Sequence, residues 1–374
     1  MEHYPRSSIV QPRRILVRGT NWLGDAVLTT PALLRLRERF PDALFALLTP
    51  EKLRGLWLHH PVIQEIVSFP PGAGAFAVAK MLRAGRFDLA LVLPNSPRSA
   101  LEVFLAGIPR RIGYARPWRN FFLTQAVAPR TGAVKMRKRS VAEIKRRILR
   151  PPDAGFRIPD SAHQIHEYLH LAAALGANPG PRPPQLAVLP GEIAAARNQF
   201  GLDKISNPVF GLNPGAEFGP AKRWPPERFL AAAREIRRRA NCVWLLFGGK
   251  NDLAIANQIE SAIRNPHLAT VNLAGRTSLR ELMALLKLCR VVLTNDTGPM
   301  HVAAALGVPV VALFGSTAPE LTGPVPSAGV RHRILKSDAP CSPCFRRECP
   351  IDFRCMTGIP VEGVVEAVSS AAAL

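Results

Sequence analysis

Short apolar runs alternate with helix-patterned segments along most of the chain, and the alternation begins twice. An apolar run at Arg14 to Val17 leads through the loop RGTNWLGD into a helical pattern from Ala26 to Phe40. Strand patterns at Ala43 to Leu48, Ile63 to Phe69 and Leu89 to Leu93 interleave with helical ones at Glu51 to Leu58 and Phe76 to Ala84, and a further helix is expected over Gln164 to Leu175. The stretch GANPGPRPPQLAVLPGE then interrupts helix and strand alike with Gly and Pro, which marks a linker. Beyond it strands are expected at Val209 to Leu212, Val243 to Phe247, Thr270 to Leu273, Val291 to Thr294 and Val310 to Phe314. Helices are expected near Glu227 to Arg239, Leu253 to Ile263, Leu279 to Lys287 and Met300 to Leu306. Such alternation makes mainly parallel sheets with helices on both faces. A chain of 374 residues exceeds what one core organises. The expected architecture is α/β: two Rossmann-like, doubly wound domains facing across a cleft, residues 1–180 and 181–374, the second ending in a Cys-rich segment at 341–355 and a C-terminal helix.

The 47% hydrophobic and 20% charged composition excludes a disordered polymer, but 49 Lys and Arg against 27 Asp and Glu leave a net charge of +22, which points to an anionic partner. Residues 1–200 hold 29 cations and 13 anions, so the first half is the basic one. Its densest run sets Lys135, Arg137, Lys138, Arg139, Lys145, Arg146, Arg147 and Arg150 against Glu143 alone; it is either a solvated face or a contact with an anionic surface. No apolar run reaches the roughly 18 residues that span a bilayer, and the opening MEHYPRSSIVQPRR lacks the apolar stretch of a secretory signal, so a cytoplasmic chain is expected. Cys341, Cys344, Cys349 and Cys355 offer enough thiols for a structural zinc site or an iron–sulfur cluster, although the spacing is not that of a paired-CxxC zinc ribbon; unliganded or paired thiols are the alternative.

Ligands of open parallel sheets bind beyond the carboxyl ends of the strands, so the loops after strands are where chemistry is sought. In Gly19-Thr20-Asn21-Trp22-Leu23-Gly24-Asp25, Asp25 falls where a helix should begin. A carboxylate there either caps the helix or stands at the sheet edge able to accept a proton from a hydroxyl. The loop from Asn213 to Pro225 combines glycines, a following helix and the cations Lys222 and Arg223, which suits a diphosphate; Asn213, Gly215, Glu217 and Lys222 are its candidate contacts. The turn Thr294 to His301 presents Asp296, Thr297 and Gly298 at a helix start, with His301 one turn in. Phe314 to Thr317 and Phe247 to Asp252 supply two more turns on the same rim.

Four of these segments together carry a resemblance. GTNWLGDAVLTTPAL, LPNSPRSALEVFLAGIPRRIGY, NPGAEFGPAKRWPPERF and TNDTGPMHVAAALGVPVVALFG, in that order, resemble the lipopolysaccharide heptosyltransferases of glycosyltransferase family 9, in particular the branch that extends the first heptose of the inner core. The resemblance implies a GT-B fold, an ADP-L-glycero-β-D-manno-heptose donor in the second domain and, in the first, an acceptor that is Kdo-lipid A carrying one heptose. It gives Asp25 the place of the general base and Lys222 that of the basic residue facing the donor phosphates, with Asp296, Thr297, Gly298 and His301 in the D-T-G-x-x-H nucleotide-binding turn. Asn295 and Pro299 receive no role.

The implied reaction is inverting transfer with Asp25 and Lys222 as the catalytic pair and no cofactor required for catalysis. The implied location is the cytoplasmic face of the inner membrane, as a peripheral protein on an anionic surface, without nucleic acid as partner. The alternatives are a sister core heptosyltransferase, of the type I or III branch, and, from another class, a basic nucleic-acid-binding protein. Aromatics of only 7% and the lack of an RNP-like or zinc-finger pattern weigh against the latter. A nicotinamide dehydrogenase would need the GxGxxG that the first loop lacks.

Overall fold

In the computed structural model, which describes residues 11–150, 158–263, 270–327 and 329–373, the first alternation closes into a six-stranded, all-parallel sheet. The residues Met1 to Val10, part of the opening read above for a secretory signal, lie outside the described residues. The strands are β1 (Arg14–Arg18), β2 (Leu44–Pro50), β3 (Glu65–Phe69), β4 (Leu89–Val92), β5 (Arg110–Tyr114) and β6 (Gln125–Val127), in the order β3-β2-β1-β4-β5-β6. The order reverses between β1 and β4, the switch point at which ligands enter such sheets. Central strands buried on both faces explain the unbroken apolar runs Ile15 to Val17 and Leu89 to Val92, all fully buried.

The expected helix Ala26 to Phe40 is two helices, α1 (Leu23–Leu28) and α2 (Thr30–Arg39). Pro31 has no N–H for the Val27 carbonyl, and the Thr30 hydroxyl takes that acceptor at 2.8 Å; Thr29 Oγ1 bonds the Ala26 carbonyl at 2.7 Å. The segment Glu51–Trp57 is a 3₁₀ helix rather than an α-helix. Helices α3 (Ala75–Arg83), α4 (Pro97–Leu105), α5 (Val141–Leu149) and α6 (Ile165–Ala173) follow.

The second sheet repeats the pattern. Strands β7 (Val209–Asn213), β8 (Val243–Leu246), β9 (Thr270–Asn272), β10 (Val292–Asn295), β11 (Val310–Phe314) and β12 (Arg333–Lys336) are parallel in the order β12-β11-β10-β7-β8-β9, with the switch point between β7 and β10. Helices α7 (Pro190–Gln199), α8 (Pro226–Ala240), α9 (Leu253–Ile263), α10 (Leu279–Leu288) and α11 (Gly298–Ala305) connect or flank these strands. The short α12 (Pro319–Thr322) and α13 (Arg354–Thr357) precede the terminal α14 (Val361–Ala371), which packs on α8 through Val364, Val365 and Val368 in one core with Trp224, Phe229 and Ile236.

The chain divides into two compact units, but not at a single boundary near residue 180. The first takes the described part of Met1–Ala133 with Gln164–Ala187, the second Val134–His163 with Val188–Leu374. The basic run Lys135 to Arg150 therefore belongs to the second unit, held there by apolar and polar contacts alike. Ile144 of α5 sits in the core beside Cys341, Cys344 and Met356. The Arg139 N–H donates to the Cys344 carbonyl at 3.0 Å and Arg147 Nε to the Pro340 carbonyl at 3.0 Å, while Arg137 pairs with Glu143. Counted on the full sequence, the first unit carries 19 cations and 9 anions, net +10, and the second 30 and 18, net +12. The excess of the first half disappears once this segment is assigned to its own unit. Among the described residues no helix is long and apolar enough to cross a membrane.

Candidate active site

At the switch point of the first sheet, the loop after β1 is built on a buried ion pair. Arg18, the last residue of β1, is 3% exposed, and its Nε donates to Glu102 Oε2 of α4 at 2.9 Å; Glu102 is fully buried. Burial pulls the Arg18 guanidinium below its ordinary range and Glu102 opposes that shift. The same guanidinium donates to the Gly19 carbonyl at 2.6 Å and to Asn21 Oδ1 at 2.9 Å, so it shapes the turn that delivers Asp25. Asp25 is not the N-cap. Trp22 occupies that place, without a side-chain bond, and Asp25 stands in the first turn of α1, where the helix dipole favours negative charge. Its Oδ1 accepts from Gln164 Nε2 at 3.1 Å, and Gln164 also donates to the Tyr168 hydroxyl at 2.9 Å. The neighbouring loop after β4 is held by Arg119, which is fully buried and whose first terminal nitrogen donates to the Pro94 carbonyl at 2.7 Å. Burial and Arg116 lower its pKa to about 10, so it stays charged at neutral pH.

At the switch point of the second sheet, the loops after β7 and β10 meet directly. Lys222 Nζ lies 2.5 Å from Asp296 Oδ2, and the Thr317 hydroxyl donates to the same oxygen at 2.6 Å. An ammonium has three donors, so its bond to Asp296 leaves donors for a phosphate. Thr297 is the N-cap of α11, which places the Thr297 and Gly298 amides at the positive end of that helix. His301 is buried one turn in, and desolvation, only partly offset by Asp296, pushes its pKa down to about 4; it is a neutral imidazole at pH 7. Asn213 is buried and its amide bonds Thr294 Oγ1 at 3.2 Å, a contact within the sheet edge. Gly215 is also buried, and a Cβ there would fall 2.3 Å from Asp252 Cγ, whereas Glu217 is exposed on the loop. Of the expected donor contacts, Lys222 and Asp296 are thus joined, Thr297, Gly298 and His301 follow on one turn, and Asn213 and Gly215 lie in the buried base.

Several residues to which the sequence gives no donor-binding role complete this edge. Asn295, fully buried, accepts from the Trp224 N–H at 3.0 Å and donates to the Pro214 carbonyl at 2.8 Å, stapling the β7 loop to the β10 turn. The Phe218 ring lies between Lys222 Nζ at 4.9 Å and the Arg347 guanidinium at 5.3 Å. The Cys-rich segment buttresses both loops. The Arg347 carbonyl accepts from the Ala221 N–H at 2.9 Å, the Cys344 and Phe345 N–H groups donate to the Ser316 carbonyl at 3.0 and 2.7 Å, and the Ser342 hydroxyl bonds the Gly315 carbonyl at 2.6 Å. Cys341, Cys344, Cys349 and Cys355 line one small cavity behind the Lys222 loop. Cys355 is hydrogen-bonded to Cys341, which holds the Cys341 thiol below its usual range and raises that of Cys355. Among the described residues no three or more His, Cys, Asp or Glu side chains are gathered closely enough to hold one metal ion.

Two Rossmann-like units, one offering a carboxylate at its switch point and the other a lysine and a helix N-terminus suited to a diphosphate, define a glycosyltransferase of the GT-B class. The chain belongs to glycosyltransferase family 9, the heptosyltransferases, whose family model matches residues 75–353. It is 34% identical over 340 residues to lipopolysaccharide heptosyltransferase 2 of Escherichia coli strain K12, covering 87% of this chain and 91% of that one. Against lipopolysaccharide heptosyltransferase 2 of Salmonella typhimurium the identity is 34% over 326 residues, covering 83% and 85%. The solved structure of E. coli ADP-heptose LPS heptosyltransferase II superimposes with a TM-score of 0.76 at 29% identity, covering 96% of this chain and 98% of that chain.

Proposed function

We propose that the protein transfers heptose from ADP-L-glycero-β-D-manno-heptose to the first heptose of the lipopolysaccharide inner core, a reading its similarity to lipopolysaccharide heptosyltransferase 2 proteins supports. The observation that carries this reading is the Lys222–Asp296–Thr317 cluster at the start of α11, where an ammonium held by Asp296 with donors to spare stands beside helix amides that suit a nucleoside diphosphate leaving group. The 3-hydroxyl of the acceptor heptose attacks C1 of the donor heptose, the bond from C1 to the ADP oxygen breaks, and the configuration at C1 inverts. Asp25 takes the hydroxyl proton, and Gln164 orients its carboxylate. Negative charge grows on the diphosphate, where Lys222 and the Thr297 and Gly298 amides stabilise it. Glu217 belongs to the loop that receives the donor, Asn213 and Gly215 to its buried base, and neutral His301 lies one turn into α11 beneath it.

The acceptor, Kdo-lipid A with one heptose, is anionic and membrane-bound, which supports a peripheral place on the cytoplasmic face of the inner membrane. Nucleic acid is not proposed as a partner. The four cysteines are proposed as a structural centre that braces the donor loops, and a thiol-only set is the chemistry of zinc or an iron–sulfur cluster. Among the described residues no three of these side chains form a group that holds a metal as folded, and no step of the reaction is assigned to a metal there.

Asp25→Asn tests the central role. The variant should lose at least about a hundredfold in transfer rate while binding ADP with unchanged affinity by calorimetry. Near-wild-type transfer removes Asp25 as the base.

A further inference from the structure

The first unit carries a face whose composition the transfer reaction does not use. Helix α3 packs on α4, and α4 packs on the 3₁₀ turn Asn120–Phe122. Phe76 of α3 is 74% exposed, Phe121 of the turn 81% and Trp118, two residues before that turn, 89%, fractions at which a large aromatic ring is left almost wholly in water. Phe104, itself partly exposed, joins Phe121 at 5.9 Å between ring centroids, so the aromatics continue across the α4 surface.

Cations intersperse these rings. Lys80 and Arg83 follow Phe76 at helical spacing on α3, and all three are exposed. Arg98 is exposed at the start of α4 and reaches the Ala73 carbonyl. The sole acid of α3, α4 and the connected turn at 115–122 is Glu102, which is fully buried and bonded to Arg18 and Arg98. The face thus presents positive charge and protruding aromatics without an exposed carboxylate. Protein interfaces also gather aromatics and Arg but are depleted in Lys, whereas rings flanked by Lys and Arg without an exposed carboxylate match the interface of an anionic bilayer, where aromatics settle at headgroup depth and cations meet lipid phosphates.

We infer that the α3–α4 face with the Trp118–Phe121 turn is the surface by which this protein docks on an anionic phospholipid bilayer. The inference rests on the reading that the acceptor is lipid-borne. Trp118 and Phe121 enter the interface as the anchors, and Lys80, Arg83 and Arg98 meet phosphates around them. The basic segment Lys135 to Arg150, the obvious candidate from sequence, contains no aromatic residue to anchor it in a headgroup region, and Arg137, Arg139 and Arg147 make contacts within the second unit, so it is not the docking surface.

The test is sedimentation of the full chain with vesicles of phosphatidylcholine containing 30% phosphatidylglycerol (about one anionic lipid in three), against pure phosphatidylcholine. Transfer to a detergent-dispersed acceptor and the solution mass are measured alongside. Trp118→Ser with Phe121→Ser should weaken binding to the anionic vesicles by about tenfold or more with transfer in detergent unchanged, and Lys135→Glu with Lys138→Glu and Lys145→Glu should leave binding within about twofold. Unchanged binding by the aromatic double variant overturns the inference, as does loss of binding confined to the triple lysine variant. A wild type that transfers heptose in detergent but binds no anionic vesicle overturns the docking surface and leaves the reaction standing. A wild type that binds vesicles but transfers nothing refutes the reaction and leaves the surface. If the double variant instead converts a dimer to a monomer, the face is a self-association surface and the inference fails.

Discussion

His301 is held in its neutral form with a pKa of about 4, against an ordinary 6.5, by burial in α11. The unfolded chain takes up a proton below about pH 6.5 that the folded chain refuses until about pH 4, so stability is whole above that window and falls as pH drops through it. At pH 5 the loss is about 2 kcal/mol from this residue. His60, buried in the first unit with its pKa also near 4, adds a similar slope. Urea midpoints at pH 7 and pH 5 should therefore converge partly in His301→Gln and stay as far apart as in the wild type if the ring is not what titrates. At this scale the sequence revealed the residues with charge and motif and concealed those that act by burial. Asp25, Lys222 and Asp296 stand in glycine-bearing loops after strands, whereas Asn295 receives no role because the resemblance leaves it at a variable-looking place. Its function as a staple between Trp224 and Pro214 exists only once β7 and β10 lie side by side. Gln164 was likewise invisible, being 139 residues from the carboxylate it orients.

The element that most needs rigid support is the loop from Gly19 to Asp25, and its support is α4, which the sequence reading did not separate from its surroundings. Pro94, Pro97 and Gly107 punctuate that stretch, and the helix between them is short. Arg18 and Glu102 meet there with both side chains out of water, so removing one charge strands the other. Glu102→Gln should cost about 3–5 kcal/mol, lower the melting temperature by about 10 °C and depress turnover more than ADP affinity. Arg98→Ala, which removes only the exposed partner of the same carboxylate, should cost less than about 1 kcal/mol. Equal effects of the two substitutions would contradict the role given to the buried pair. In the second unit the corresponding close approach is at Gly219, whose φ of 150° and 2.6 Å Cβ distance from the Arg347 carbonyl admit only glycine. Alternation of strands and helices disclosed both sheets, since apolar strands buried on two faces are legible in one dimension. The division into units was not, because α5 and the basic segment cross from the first half into the second unit through contacts of Ile144 and Arg139 that no local pattern encodes.

For the whole molecule, the net charge of +22 resolves into +10 and +12 on the two units, so it does not single out one domain as the anionic partner's seat. The charge stabilisation proposed for Lys222 and the α11 amides asks nothing of a divalent ion. Transfer by protein dialysed against EDTA should match that of untreated protein, and abolition restored by Mg²⁺ would contradict the mechanism. Protein purified without a His tag and not exposed to EDTA reports on the cysteines. About one equivalent of zinc, or iron in cluster stoichiometry, identifies a structural centre, and less than about 0.2 equivalents means thiols alone brace the loops. The central claim is the bond that forms. Incubation of the protein with ADP-heptose and Kdo-lipid A bearing one heptose, followed by mass spectrometry, should show the acceptor heavier by one heptose, with no gain on Kdo-lipid A that lacks it. No gain on the mono-heptosyl acceptor, or a gain on the unsubstituted one, would contradict the account.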